Sequence, residues 1–202
     1  MGRAPYRKRD EVREQILEAA EQVLAERAPS EVSVRDIADQ AGVQHSLVHR
    51  HFATKDALVA EVVRRTIDGY AAAVNDHADP AEAFIAGMTW MADHRPSFAA
   101  LTRALMDAPP DVDVPLFPGF DAHLQRLTPD AAKTRGRPRE RSDGRVDPRV
   151  LIVTLLALTS GWAFLEDRWL ATAGFSTRDR TAVRRQVATI IGHMIERESG
   201  SD

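Results

Sequence analysis

The fold is decided by residues 33–58, which read SVRDIADQAGVQHSLVHRHFATKDAL. Ser33 followed three residues later by Asp36 is a helix-start pattern, and apolar residues then recur at helical spacing. Gly42 ends this helix, because the residue just past a helix end often adopts a positive φ. A second short helix fits residues 44–50. Two short helices joined by a tight glycine-containing turn predict a helix-turn-helix.

The second helix of this pair has an unusual exposed side. At about 100° per residue, His45, Ser46 and His49 fall within an arc of roughly 100°. That side carries small or hydrogen-bonding groups and no acidic residue. Such a surface suits insertion into the major groove of DNA, where base edges present donors and acceptors. We therefore interpret it as a reading helix.

The same stretch resembles the DNA-binding motif of the tetracycline-repressor-like (TetR) family of transcriptional regulators. The residues that carry the resemblance are Arg35-Asp36-Ile37-Ala38, Ala41-Gly42-Val43, His51-Phe52 and Lys55-Asp56-x-Leu58. The resemblance implies an all-α protein of about nine helices that binds double-stranded operator DNA as a homodimer. A three-helix helix-turn-helix domain over residues 1–55 would precede a helical effector-binding and dimerisation domain over residues 56–202.

The resemblance also implies roles for individual residues of the motif. Residues expected to contact base edges are Arg35, Gln44, His45, Ser46 and His49, and Leu47 is expected to lie against a thymine methyl group. Ser33, His51 and Lys55 are expected to anchor phosphates, which fixes register without reading sequence. The chain departs from the common family pattern at Gln44, Ser46 and His49, where Ser, Gly and Tyr are usual. These differences leave the operator sequence undetermined.

Composition describes a protein able to bury a sizeable core. The chain has 202 residues, of which 44% are hydrophobic and 28% charged, with a net charge of −3. The absence of cysteine excludes disulfides and thiolate metal sites. The longest uncharged run, residues 150–165, is shorter than a membrane span, and no apolar segment follows the basic N-terminus. We expect a soluble cytoplasmic protein without a membrane partner.

Positive charge is local to the motif's second half. Across residues 1–55 nine basic residues match nine acidic ones, whereas residues 44–55 contain Arg50 and Lys55 and no acid. Residues 1–9 are basic as well, and they fit either a solvated tail or an arm that lies along phosphates or in a minor groove. These features predict moderate, salt-sensitive DNA affinity.

A long apolar-faced helix over residues 55–75 runs from the motif into the next block. It is either a spacer or, as the resemblance implies, a link through which a tilt at one end moves the other. Methionine and aromatic residues at helical spacing follow, a pattern that fits an ordinary core as well as a cavity. The resemblance favours a cavity for an unknown, largely apolar small molecule. Its candidate lining residues are Phe84, Met88, Trp90, Met91, Phe98, Met106, Phe120 and Trp162.

Residues 128–147 are polar and rich in helix breakers, and six basic residues lie between Lys133 and Arg145. This predicts a loop, and contact between it and DNA is left open. Two helices with heptad-like apolar seams follow, and such seams favour a four-helix bundle at a two-fold dimer axis over burial in the chain's own core. The candidate interface residues are Leu151, Leu155, Leu158, Trp162, Leu165, Trp169, Val183, Val187, Ile190 and Met194.

Catalytic and metal chemistry finds little support in the sequence. His45 and His49 have a spacing that can bind zinc, but Ser46 stands where a hydrolytic H-E-x-x-H site needs glutamate, and no third ligand is evident. No phosphate-binding glycine loop or nucleophile elbow is present. We expect no enzyme activity, no metal site and no cofactor. The alternatives left open are an effector-independent regulator or activator, and a member of the fold that has lost DNA binding.

Overall fold

The computed structural model describes residues 4–108 and 144–199, and the regular structure of these residues is entirely helical, as predicted. Short 3-10 turns span Pro29–Glu31 and Thr177–Asp179. The spacing of Phe117, Phe120, Leu124 and Leu127 predicts one further short helix, which lies outside the described residues, as does most of the loop expected over 128–147. The eight described α-helices are α1 (Ala4–Glu26), α2 (Val34–Ala41), α3 (His45–His51), α4 (Lys55–Asn75), α5 (Pro80–Asp93), α6 (Arg95–Asp107), α7 (Pro148–Thr172) and α8 (Arg180–Ser199).

Contacts divide the described chain into two compact units. The first comprises residues 4–68 and 94–108, and the second comprises residues 69–93 and 144–199. This grouping differs from the predicted division at residue 55, because the first half of α4 and all of α6 belong to the first unit. At its start, α1 is already helical from Ala4, so residues 4–9 form a helix and not an extended arm.

The helix-turn-helix forms for local reasons that the sequence shows. Ser33 caps α2 through reciprocal hydrogen bonds with Asp36, and Gly42 ends α2 with φ of 64°. A positive φ costs glycine little, which explains the residue at that turn. The side-chain amide of Gln15 donates to the Ala41 carbonyl at 2.7 Å and so ties α1 to the end of α2. The core beneath the motif is fully buried and includes Ile16, Leu24, Ile37, Val48 and Leu58.

Helix α6 is attached to the same unit by apolar and polar contacts. Ala100 joins the core beneath the motif. The Ser97 hydroxyl donates to Glu21 of α1 at 2.7 Å. At the other end of α6, Asp107 accepts from both the backbone N–H and the hydroxyl of Ser30, at 2.7 and 2.6 Å. These contacts join residues 76 and 77 positions apart in sequence, which local patterns do not reveal.

The second unit has its own core, in which Phe84 of α5 packs with Ile152 and Leu155 of α7 and Ile191 of α8. Asp147 caps α7 by accepting from the backbone N–H of Arg149 at 2.9 Å, with Pro148 at the first helical position.

Among the described residues, α7 is the one helix long and apolar enough to cross a membrane, with a hydropathy of 1.6 over 18 residues. At 25 residues, α7 is longer than the uncharged run of residues 150–165 that it contains. The length of the helix alone therefore does not show whether α7 crosses a membrane. The core helix of a soluble protein passes the same test. On its buried side α7 carries the ion-paired Glu166, which is 0% exposed.

Candidate nucleic-acid interface

Helix α3 presents its predicted reading side to solvent. Gln44, His45, Ser46 and His49 are exposed, and Leu47 is half-buried. The His45 and His49 rings meet edge to face, with centroids 4.5 Å apart. No acidic residue occurs in α3, so the side offers hydrogen-bond donors and acceptors without repelling phosphate.

Ser33 and Arg35, the two predicted contact residues at the start of α2, differ in how far their side chains are engaged within the protein. The Ser33 hydroxyl donates to the Asp36 carboxylate at 2.5 Å and accepts from its backbone N–H at 3.2 Å, so it caps the helix. The Ser33 hydroxyl and the Ser33 backbone N–H both donate to the Asp36 carboxylate, and these two bonds lower the pKa of Asp36. The Arg35 side chain is more available for contact with DNA, because it is 84% exposed. Its nearest acidic partner is Asp39, at 4.0 Å.

Lys55 has a structural role that the sequence did not reveal. Its ammonium group donates to the carbonyl oxygens of Pro29 and Val32, at 2.7 and 3.1 Å. These bonds tie the start of α4 to the connection between α1 and α2. An ammonium group has three donors, so one remains for a phosphate.

His51, at the end of α3, is half-buried in a positive environment. Burial lowers the pKa of His51, and the nearby charges of Arg9, Arg13 and Arg50 lower it further, against an opposing effect of Asp10. Because its ordinary pKa is about 6.5, the His51 imidazole is neutral at pH 7 in the free protein.

Charged residues of α1 and α4 form a network next to Phe52, the residue that follows α3. Arg13 of α1 hydrogen-bonds Glu61 of α4, and its guanidinium lies 5.2 Å from the centre of the Phe52 ring. Arg64 donates to the same carboxylate. Hydrogen bonds from Arg64 and then Arg13 lower the pKa of Glu61 to about 2, so Glu61 stays ionised at physiological pH. Sequence patterns did not predict this network, since Arg13 and Glu61 are 48 residues apart.

Among the described residues, no three histidine or acidic side chains are grouped as metal ligands. The exposed His45–His49 pair therefore stands without a third protein ligand in this part of the chain.

The cavity candidates among the described residues are distributed over both units. Phe84, Met88 and Met91 are buried in the second unit, each about 1% exposed. Phe98 and Met106 belong to α6 in the first unit, where Phe98 is buried and Met106 is 82% exposed.

The remaining cavity candidates have other surroundings. Trp162 donates its indole N–H to Glu166 at 2.9 Å, and Trp90 lies edge to face with Tyr70. Phe120 lies outside the described residues. None of the predicted cavity residues borders the 260 Å³ groove of the second unit, which is lined by Val146, Val150, Leu151, Thr154, Met194, Arg197 and Glu198.

The predicted dimer seam is split between the core and the surface. Leu151 and Leu155 are buried in the core of their own unit, at 5% and 0% exposure. Trp162, Val183, Val187 and Met194 are half-buried. The remaining seam residues are exposed: Leu158, Leu165, Trp169 and Ile190. Val153 and Phe164, which the sequence analysis did not include, are exposed as well. We define the apolar face as the exposed residues Val153, Leu158, Phe164, Leu165, Trp169 and Ile190.

Comparisons with known proteins agree with this geometry. Residues 16–62 match the family model for bacterial regulatory proteins of the tetR family. The chain is 29% identical over 188 residues to the HTH-type transcriptional repressor Rv3405c of Mycobacterium tuberculosis, covering 93% of this chain and 91% of the relative. It is 39% identical over 67 residues to the repressor KstR2 of the same species, covering 33% of this chain and 34% of the relative.

One solved structure shares the fold over most of the chain, including residues of both units. The transcriptional regulator SCO4942 from Streptomyces coelicolor superposes with a TM-score of 0.63 at 23% identity, covering 91% of this chain and 97% of that one. At this identity the likeness concerns the fold alone.

Proposed function

Because the chain belongs to the tetR family of bacterial regulatory proteins, we propose that it is a repressor that binds a near-palindromic operator as a dimer and is released by a small molecule. It is a DNA-binding transcriptional regulator, and members of its family bind operators as dimers. Its place of action is the cytoplasm, where operator DNA lies. The observation that carries the proposal is the exposed, acid-free side of α3.

The contacts divide into reading and anchoring groups. Gln44, at the N-cap of α3, and His45, Ser46 and His49 of α3 face solvent and read base edges. Arg35 of α2 also reads a base edge, and Leu47 lies against a thymine methyl. His51 and the free donor of Lys55 anchor phosphates, while Ser33 contributes chiefly by holding the start of α2.

The dimer forms through the apolar face. Exposed large hydrophobic residues are spread along α7 and include Ile190 of α8, an arrangement typical of a surface that a partner covers. A two-fold axis at this face yields two copies of α3, and these read half-sites when they lie about 34 Å apart.

The effector is a largely apolar small molecule that binds among the helices of the second unit. Support comes from the methionine and aromatic content of α5 and from the half-buried Trp90 and Trp162. Binding would favour a dimer in which the two reading helices no longer fit successive major grooves. An effector-independent regulator or activator would share the reading helix but lack this response.

The test begins with selection of bound duplexes from random DNA by the purified protein. Gel-shift titration of a selected duplex should then show that Gln44→Ala and His49→Ala each weaken binding by about 1–3 kcal/mol, as expected for lost base contacts. Arg178→Gln, which changes an exposed arginine of the second unit, is the control and should bind as wild type does. Lys55→Ala is unsuitable here because Lys55 also supports the fold.

Two results would contradict the proposal. If no duplex is enriched, the chain has lost DNA binding. If Gln44→Ala and His49→Ala bind the selected duplex as wild type does, these residues do not read its bases. If operator affinity is the same with and without every candidate small molecule, the release mechanism is wrong and the chain is an effector-independent regulator.

A further inference from the structure

His45 and His49 form a pair on the exposed side of α3. They are four positions apart on one helix, both are exposed, and their ring centroids lie 4.5 Å apart. Side chains at this spacing lie one above the other on a helix surface. Within the described part of the chain, neither imidazole forms a hydrogen bond or an ion pair. The nitrogens of both rings are therefore available to a ligand.

The separation of the two rings suits a shared metal ion. An ion bound at about 2.0–2.1 Å from one nitrogen of each imidazole lies about 3 Å from each ring centre, so rings that share an ion have centres at most about 6 Å apart. The observed 4.5 Å lies within this limit and corresponds to an angle of about 90–100° at the metal. Both side chains are exposed, so the rings have room to turn one nitrogen each towards the same point.

Two protein nitrogens favour an ion that takes water at its other positions. Zinc sites in proteins usually have three or four protein ligands. In the described part of the chain no third histidine or acidic side chain joins the pair, and His51 lies two positions past His49, on another side of α3. Ni²⁺ and Cu²⁺, by contrast, form tetragonal sites of nitrogen and oxygen ligands. The expectation of no metal site concerned a hydrolytic zinc centre, and an exchangeable ion does not need that third ligand.

We propose that His45 and His49 of a reading helix bind one Ni²⁺ or Cu²⁺ ion, and that the bound ion prevents this helix from reading the operator. The competition rests on the proposed DNA-binding function and adds a metal site that regulates it. The same two imidazoles are proposed to contact base edges, and neither serves both partners at once. The ion and its waters also occupy the space next to the helix that a base edge would fill.

The first experiment measures Ni²⁺ binding to the protein without DNA and without a histidine tag, by isothermal titration calorimetry at pH 7.5. His45→Gln and His49→Gln should each weaken binding by about tenfold or more, because a single imidazole loses the effective concentration that its neighbour supplies. His193→Gln removes another exposed histidine, on α8, and should bind Ni²⁺ as wild type does. Titrations with Cu²⁺ should rank the variants in the same order.

The metal site is overturned if the wild type binds neither ion, or if both α3 variants bind Ni²⁺ as tightly as the wild type. All three substitutions are at exposed positions, so circular dichroism and Tm should stay those of the wild type. A loss of Ni²⁺ binding in a variant that remains folded is then a loss of ligands.

The second experiment repeats the gel-shift titration of the selected duplex with Ni²⁺. At ten times its measured dissociation constant, Ni²⁺ should weaken wild-type binding by about tenfold or more, because ion and operator compete for the same helix. EDTA should restore the affinity, and His193→Gln should respond as wild type does. His45→Gln should bind the duplex more weakly, with an affinity that Ni²⁺ leaves nearly unchanged. A wild-type affinity that Ni²⁺ does not lower overturns the competition.

The metal site and the DNA-binding function fail separately. A wild type that binds Ni²⁺ through both histidines but enriches no duplex would keep the metal site and remove both the DNA-binding function and the competition. A wild type that binds an operator, while His45→Gln and His49→Gln leave Ni²⁺ binding unchanged, would remove the metal site alone.

Discussion

Lys55 and Glu166 are charged residues whose partners lie inside the protein. Lys55 donates to two backbone carbonyls next to the helix-turn-helix. Glu166 of α7 accepts from both Nε and Nη2 of Arg184, at 2.6 and 2.8 Å, and from the Trp162 indole. Arg180 approaches the same carboxylate at 3.2 Å. Each residue makes contacts across tens of positions in sequence, so each contributes to stability as well as to charge.

Replacing Lys55 with methionine should destabilise the protein by about 1.5–3 kcal/mol, the usual contribution of hydrogen bonds to a charged group. The alkyl chain keeps its packing, so the loss comes from the carbonyls of Pro29 and Val32. Urea denaturation followed by circular dichroism measures the change. The exposed-site variant Arg178→Gln should stay within about 0.5 kcal/mol of the wild type, and a similar small effect for Lys55→Met would contradict the assignment.

Replacing Glu166 with alanine should cost about 1.5–3 kcal/mol, because it removes the hydrogen bonds that the buried carboxylate accepts, while Arg184 and Arg180 keep Asp93 and Asp167 as partners. Glu166→Gln keeps the shape and loses the charge, so it should show a smaller loss. Chemical denaturation at pH 7 measures both variants. If neither variant is less stable than the wild type, the ion pairs of Glu166 contribute nothing to folding.

The same carboxylate predicts a pH dependence of stability. Burial raises the pKa of Glu166, but the hydrogen bonds from Arg184 and Trp162 and the charges of Arg184 and Arg180 outweigh this, so the net pKa is lowered. A lowered folded-state pKa means that the stabilisation is complete above the unfolded-state value of about 4.3 and is lost as pH falls through the folded-state value. The stability difference between wild type and Glu166→Gln should therefore be constant above about pH 5 and shrink below it. A difference that grows on acidification would contradict this sign.

At the scale of elements, α4 and α5 pack through two glycines set against two aromatic rings. A Cβ atom added at Gly69 would lie 2.8 Å from Trp90, and one added at Gly87 would lie 2.7 Å from the Tyr70 hydroxyl oxygen. Tyr70 is 6% exposed, and burial raises its pKa. The close packing of these helices within the second unit thus requires residues without side chains at both positions.

Gly87→Ala should destabilise the second unit by about 1–3 kcal/mol, because the buried Tyr70 ring has little room to move. Gly161→Ala is the matched control: Gly161 is also inside a helix, and an added Cβ meets nothing within 4 Å. It should be neutral or stabilising by about 0.5–1 kcal/mol, since alanine favours helix over glycine. Denaturant titrations compare the two, and equal effects would show that the close contact with Tyr70 is unimportant.

At the scale of the whole molecule, the chain passes between its two units inside α4, at residues 68 and 69, and again between α5 and α6, at residues 93 and 94. The first unit contains the reading helix α3, and the second contains α7 and α8 with the apolar face. In the proposed dimer, operator recognition by two half-sites would therefore depend on a surface remote in sequence from the residues proposed to read bases.

Ile190→Glu should convert the proposed dimer to a monomer, because Ile190 is 58% exposed on the apolar face and a buried unpaired carboxylate is unfavourable there. Sedimentation equilibrium measures the mass, and gel-shift titration should show greatly weakened operator binding. Arg185→Glu places the same side chain at another exposed position of α8 and should stay dimeric. A dimeric Ile190→Glu variant would place the interface elsewhere.

The parts that the sequence predicted well depend on neighbours in the chain. The Ser33–Asp36 cap and the positive φ of Gly42 involve residues at most a few positions apart, so their residue types are diagnostic. The assignment of α6 to the first unit depends instead on pairs such as Ser30 with Asp107. The seam of α7 is ambiguous for a related reason: a spacing of three and four marks an apolar side without saying what covers it.

By itself, the sequence determined the all-helical class, the helix-turn-helix and the exposed, acid-free side of α3, because helix starts, helix ends and amphipathic periodicity are local properties. Only the tertiary structure decided that Lys55 supports the α1–α2 connection, that Leu155 belongs to the core while Leu158 faces solvent, and that the charges of Arg9 and Arg13 lower the pKa of His51. The physical reason is that burial and charge depend on which distant helices pack together, and a one-dimensional pattern does not contain that pairing.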